Sequence, residues 1–181
     1  MIIMIIRKNI LITGPPRIGK STLIEKIVGQ LQGPLTGFFT KEIKQKRRRV
    51  GFSIVTLDGK TGLLAHQDIK GKPRVGKYGV DVEQIDKLAV PSINPAAPDM
   101  IVVIDEIGKM ECFSPLFREA LVKLLGSPNP VIASIAVKGP PPIEEIKNRT
   151  DVFLIHVTKK NRDQLVNEIL LLLKTLPLLD L

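Results

Sequence analysis

Two rhythms of apolar residues alternate along this chain of 181 residues. Short, mainly apolar runs at 8–13, 100–104, 131–137 and 152–157 read as strands, and the continuous run at 100–104 has the pattern of one buried on both faces. Between them, apolar residues return every three or four positions. Leu23, Ile24, Ile27, Val28 and Leu31 fall on one face of a helix over 21–31, which Gly33-Pro34 ends. Val82, Ile85, Leu88 and Ala89 form the apolar face of a short helix. Asp81 and Gln84 open it as a capping-box pair, and Pro91, Pro95 and Pro98 break the chain after it. Ser114-Pro115 starts a helix to Leu125 that Gly126 closes. A proline-led helix covers 140–147, and Asn161 with Gln164 caps a Leu-rich helix through Lys174.

One region departs from this alternation. Residues 35–40, 50–57 and 61–65 read as strands with no helix between them, and Asp58-Gly59 is a turn signal. They predict an antiparallel β-meander inserted at about 35–66 on the edge of the sheet. Residues 70–79 predict a basic, glycine-containing loop. Elsewhere strand and helix alternate, which predicts one α/β domain over 1–181, with a mostly parallel sheet between two helical layers. Ligands of such sheets bind outside the carboxyl ends of the strands. Met1-Ile-Ile-Met-Ile-Ile6 is too short to span a membrane and lacks a basic leader, so it is expected as an edge strand or an extension of the first strand. Without a targeting segment, the expected location is cytoplasmic, with no membrane partner.

Composition changes this picture little. A hydrophobic fraction of 44% and a charged fraction of 25% suit an ordinary globular protein. Aromatics, at 4%, supply few stacking platforms for nucleic acid. The net charge of +9 is partly local: Lys41, Lys44, Lys46, Arg47, Arg48 and Arg49 face only Glu42 in the stretch 41–49. That stretch is either a solvated hairpin tip, the favoured reading, or a basic patch for nucleic acid. The single cysteine, Cys112, excludes an internal disulfide or a cysteine zinc site and reads as a buried structural thiol.

The chemistry is carried by two segments. Gly14-Pro15-Pro16-Arg17-Ile18-Gly19-Lys20-Ser21 is a complete G-x-x-x-x-G-K-[ST] phosphate-binding loop, placed between a predicted strand and a predicted helix that Thr22 continues. In that setting backbone N–H groups and the helix N-terminus converge on phosphate oxygens. Lys20 reaches the β- and γ-phosphates, and the Ser21 hydroxyl binds Mg²⁺. The run Ile101-Val102-Val103-Ile104 leads into Asp105-Glu106, a Walker B pattern. The first acid holds the metal shell, and the second is placed to polarise a water. A carboxylate aimed at water favours hydrolysis over transfer to another acceptor. Ser134, in the next strand, is a candidate sensor of the γ-phosphate or the attacking water. Lys109, Arg17, Lys138 and Arg162 are candidates for the cation that neutralises the transition state. Lys109 is nearest the acidic pair, but spacing does not choose among them.

With Asp105-Glu-Ile-Gly-Lys-Met-Glu111, Gly37-Phe-Phe-Thr-Lys-Glu42, Val75-Gly-Lys-Tyr-Gly-Val80 and Asn161-Arg-Asp163, the chain resembles a known family along nearly its whole length. It is similar to the small nucleoside-triphosphatases of thermophilic prokaryotes, whose vertebrate member is called cancer-related nucleoside-triphosphatase. The resemblance implies a three-layer P-loop core of the RecA-like or AAA-related kind, with a catalytic glutamate. It also implies slow hydrolysis of ATP, GTP, CTP and UTP to the diphosphate and phosphate with little base selectivity. By position, Gly14–Ser21 and the segment through Ile107 and Gly108 line the nucleotide site. Relatives are expected to have a longer helix where 92–99 is short and proline-rich. Two other readings compete with an Mg²⁺-dependent nucleoside-triphosphatase. One is a nucleotide or metabolite kinase, and the other a nucleotide-dependent adapter or RNA-binding ATPase.

Overall fold

In the computed structural model, which describes residues 7–176, nine strands form one sheet with helices on both faces. The segment 1–6, expected as a strand or strand extension, lies outside the described residues. Strand β1 (Asn9–Thr13) leads to helix α1 (Lys20–Val28). Then come β2 (Leu35–Gln45), β3 (Arg48–Thr56), β4 (Thr61–His66), β5 (Arg74–Val75) and β6 (Tyr78–Val80). Helix α2 starts as Val82–Gln84, widens to a π-turn at Ile85–Ala89 and ends as Val90–Ser92. Next are β7 (Ile101–Ile107), α3 (Pro115–Gly126), β8 (Val131–Ile135), α4 (Pro141–Lys147), β9 (Val152–His156) and α5 (Leu165–Lys174). The strand order is β5-β6-β4-β3-β2-β7-β8-β1-β9.

The apolar runs are explained by burial on both faces. Along β1, Leu11 joins a core cluster with Ile85, Phe117 and Ile143 beneath α2, α3 and α4. Its neighbours Ile10 and Ile12 join the opposite cluster with Ile24, Ile27, Ile169 and Leu173 of α1 and α5. In β7, Val102 and Ile104 face the first cluster, and Ile101 and Val103 the second. The period of two therefore feeds two cores, and along 101–104 neither face takes a polar residue.

Several expectations change. Residues 35–40 are not part of an edge insertion, because β2 pairs in parallel with β7 from Leu35 to Phe39 and belongs to the central sheet. From Phe38 onward it also pairs antiparallel with β3, and the meander continues past residue 66 through β6. The expected loop at 70–79 contains β5 and most of β6, strands of two and three residues that carry no readable periodicity. Pro91 does not break α2. The preceding π-turn shifts the backbone bonding, with the Val90 N–H donating to the Ile85 carbonyl, and the proline is accommodated in the final turn. Asp81 does cap α2, its carboxylate accepting from the Gln84 N–H at 3.1 Å. Its own N–H goes to the Leu64 carbonyl, so the reciprocal half of the capping box is taken by the sheet. Asn161 does not cap α5. Its side chain accepts from the Thr158 N–H at 2.8 Å and donates to the His156 carbonyl at 2.9 Å, which fixes the turn leaving β9.

Candidate nucleotide site

The parallel strands β1, β7, β8 and β9 end at one edge of the sheet, and the polar residues of the two motifs gather there. The phosphate loop leaves β1 after Thr13. Ile18 anchors it, being 8% exposed and packed in the α1–α5 core. Gly14 lies so close to β9 that a Cβ there would stand 2.9 Å from the Val157 carbonyl. Gly19 precedes α1 with φ 108°, a left-handed geometry that glycine adopts without strain. Arg17 also has a positive φ, 64°, and its side chain is exposed. The Lys20 ammonium donates to the Gly14 carbonyl at 3.0 Å and the Pro15 carbonyl at 3.4 Å, so it lies across the loop.

Strand β7 carries Asp105 and Glu106 within its length, ending at Ile107 rather than before the acids. Asp105 is 2% exposed. Its Oδ1 accepts from the Ser134 hydroxyl at 2.6 Å, so Ser134 on β8 orients the carboxylate. Burial raises the Asp105 pKa, while the Ser134 and Ser21 hydroxyls and the Lys20 charge oppose the rise. Its Oδ2 is buried with no hydrogen-bond partner, a feature it shares among the described residues with Thr13 Oγ1 at the end of β1. A buried carboxylate oxygen left unpaired costs free energy. With the Ser21 hydroxyl alongside, it fits a small oxygen-seeking cation such as Mg²⁺, and Ser21 and Asp105 are the residues that could hold one.

Glu106 is half-buried and faces a cavity of about 810 Å³ that also takes in Lys20, Ser21 and Thr22. Burial raises its pKa first. Lys20 opposes that rise, and the Asp105 charge adds to it. A carboxyl with a raised pKa is a stronger base toward water as long as it stays ionised. Glu111, which ends the acidic signature, is 4% exposed and accepts from the Gly108 N–H at 3.1 Å. Burial pushes its pKa up to about 8, and it braces the turn that follows Glu106.

The loop residues Pro16, Arg17 and Gly19 line the same cavity. Ile101 to Ile104 support it from within the sheet, where all four are buried. Ile107 and Gly108 are buried behind it. Lys109 is exposed and is not among the residues lining the cavity, and Lys138 is exposed away from it. Arg162 lies near Asp163 at 3.5 Å. His156 is exposed at the end of the edge strand, and Cys112 is buried with its thiol pushed up to about 12, as an inert structural cysteine would be. The opposite wall of the cavity comes from residues to which the sequence assigns no place at the site: Glu25 of α1 and Thr40, Lys41, Glu42, Arg49 and Phe52 of the β2–β3 hairpin. The 37–42 motif and the basic run 41–49 mark part of that wall, but neither says where it stands, which depends on how β2 and β3 pair and where the hairpin falls relative to α1.

A family model described as NTPase matches residues 9–170. The nucleoside-triphosphatase THEP1 of Thermotoga maritima is 45% identical over 167 residues, covering 92% of this chain and 95% of that protein. The human cancer-related nucleoside-triphosphatase is 41% identical over 179 residues, covering 90% and 94%. The crystal structure of THEP1 from the hyperthermophile Aquifex aeolicus superposes with a TM-score of 0.84 at 38% identity, covering 92% of this chain and 99% of that one. Among the described residues, no helix is long and apolar enough to cross a membrane. The phosphate loop, the paired acids and the sheet that joins them thus make the chain a member of the NTPase family of P-loop α/β proteins, hydrolases of phosphoric anhydrides.

Proposed function

We propose that the protein hydrolyses nucleoside triphosphates to the diphosphate and phosphate, with Glu106 as the general base. The observation that carries this reading is the common cavity: the half-buried Glu106 carboxyl, with its raised pKa, opens into the same space as Lys20 and the loop. The loop N–H groups and Lys20 bind the β- and γ-phosphates and hold the chain of phosphates in line. Glu106 accepts a proton from a water as that water's oxygen bonds to the γ-phosphorus. The bond from the γ-phosphorus to the β–γ bridging oxygen breaks, and the diphosphate leaves with the electron pair. Ser21 and Asp105 would hold Mg²⁺, which supplies charge neutralisation at the β- and γ-oxygens. Ser134 acts through Asp105, fixing the carboxylate so that its second oxygen faces the site. ATP, GTP, CTP and UTP are expected to be accepted alike, since every contact assigned here is to the phosphate end.

The test is phosphate release from each of the four triphosphates, with and without Mg²⁺, for the wild type, Lys20→Ala and Glu106→Gln. Lys20→Ala should lose binding and turnover together. Glu106→Gln should bind a non-hydrolysable analogue normally and release phosphate at least about 100-fold more slowly. Unchanged release by Glu106→Gln would remove the glutamate from the mechanism, and a nucleoside-dependent phosphorylated product would make the protein a kinase.

A further inference from the structure

The basic run of the sequence does not act as one patch. The structure divides it. Lys46 and Arg48 line a separate cavity of about 550 Å³ with Gln67 and Lys77. Lys44 and Arg47 are exposed. Lys41 and Arg49 line the nucleotide cavity opposite the phosphate loop, with Arg49 at the boundary between the two.

Arg49 is held from several sides. Its Nη1 donates to Glu42 Oε1 at 2.8 Å and its Nε to the Tyr78 hydroxyl at 3.1 Å. Its guanidinium lies 4.9 Å from the Phe52 ring centre and 5.7 Å from that of Tyr78, two rings packed edge to face. Tyr78 is itself 8% exposed, so the frame that holds the guanidinium is anchored in the core. Lys41 pairs with Glu25, one helical turn beyond Ser21 on α1. Glu25 lines the nucleotide cavity together with Ser21, so this pair stands at the same cavity as a residue assigned to the metal.

Stability does not account for this arrangement. The side chains of both ion pairs are between 38% and 50% exposed, and such pairs contribute about 0–1 kcal/mol. What the frame does provide is orientation: a planar cation with a restricted direction at the wall of a site whose phosphate-loop side presents Lys20. Phosphoryl transfer depends on such cations, because charge spreads over the equatorial oxygens of the transferring group.

We propose that Arg49 is the transition-state cation of this site, aimed at the γ-phosphate end of the bound triphosphate, with Lys41 beside it as a ground-state contact to the phosphates. The proposal rests on the hydrolytic reading above. It replaces Lys109, Arg17, Lys138 and Arg162 as the source of that charge and makes the β2–β3 hairpin the second wall of the active site.

The experiment measures kcat and KM for phosphate release, and calorimetric binding of a non-hydrolysable ATP analogue, in wild type, Arg49→Ala, Arg49→Lys, Lys41→Ala and Arg47→Ala. Arg49→Ala should lower kcat about 100-fold or more and change analogue affinity less than about threefold. Arg49→Lys, which keeps the charge but not the planar fork, should lose about tenfold in kcat. Lys41→Ala should raise KM several-fold, and Arg47→Ala should match the wild type. Arg49→Ala with kcat within about threefold of wild type overturns the proposal, as does a loss of analogue affinity equal to the loss of kcat. If the alanine variant does not fold, Arg49→Lys decides, and an unchanged kcat there is equally fatal. Failure of the hydrolytic reading looks different: the wild type itself would release no phosphate, or Glu106→Gln would release it undiminished.

Discussion

Replacing Glu111 by glutamine should make the protein progressively harder to denature, relative to the wild type, as the pH rises. Glu111 begins a short 3₁₀ turn, is 4% exposed and accepts the Gly108 N–H. Burial is the main reason its pKa rises to about 8, and the Glu106 and Asp105 charges add to the effect, against the N–H groups of Glu111 and Gly108. The folded pKa therefore lies above the unfolded one. Between pH 4.5 and about 8 the folded chain keeps a proton that the unfolded chain has released, so stability falls as pH rises. The slope is about 1.36 kcal/mol per pH unit, and the full loss is about 5 kcal/mol above the folded pKa. Glutamine is neutral throughout and keeps the carbonyl oxygen that accepts the Gly108 N–H. Its extra N–H costs about 1–3 kcal/mol if it goes unpaired, but that cost does not vary with pH. The change in the wild-type to Glu111→Gln difference between pH 5.5 and 8.5 isolates the carboxyl and should be about 3 kcal/mol. With a urea dependence of about 2 kcal/mol per molar, the gap between the two unfolding midpoints should widen by about 1.5 M over that range. Asp105 and Glu106, also raised, titrate in both proteins, whereas Glu42, Glu144 and Asp151 are lowered by their partners and act at more acid pH. Midpoints of the two proteins that run parallel with pH would refute the assignment of Glu111 as a buried neutral acid.

Further substitutions test other parts of the fold and site. Ser134→Ala removes the hydroxyl that donates to Asp105 at 2.6 Å and should lower turnover or metal affinity about 10- to 100-fold, measured as phosphate release against Mg²⁺ concentration. Phe117→Ala empties a fully buried position whose ring meets Phe38 edge to face, with centres 6.1 Å apart. It should cost about 3–5 kcal/mol in urea unfolding. Cys112, with its thiol pushed up to about 12, should react with a disulfide reagent at pH 8 far more slowly in the native protein than after denaturation.

The phosphate loop and the acid pair were legible because each is contiguous: the chemistry needs neighbours in sequence, and the flanking strands announce themselves by apolar runs. The buried strands were legible for the same reason, since burial on both faces leaves no polar position in 101–104. Features set by tertiary register were not. Lys41 and Arg49 look like members of a solvated tip until the pairing of β2 with β3, and of β2 with β7, carries the hairpin across the mouth of the loop. Pro91 reads as a breaker because the π-turn that accommodates it has no local signature. Asn161 has the composition of a helix cap, but the carbonyl at the end of β9 claims its side chain first.

Charge at the carboxyl edge of the sheet explains why the hairpin matters. Asp105 and Glu106 are both held above the ordinary carboxylate range by burial, and Lys20 is the cation that opposes this for each of them. A triphosphate adds several negative charges to the same space, which would push both carboxyls further toward the protonated form, the wrong direction for a general base. The site must therefore receive positive charge along with its substrate. Ser21 and Asp105 would provide part of it by holding a divalent cation. The rest has to come from side chains that line the cavity yet are not consumed in holding the loop. On that wall Lys41 and Arg49 meet the condition, because their partners Glu25 and Glu42 keep them in place while leaving more than a third of each side chain exposed to the cavity or solvent. The loop lysine alone leaves both acids above the ordinary carboxylate range. In the proposed reading, the opposite wall adds the charge that helps keep the second acid ionised in the presence of substrate.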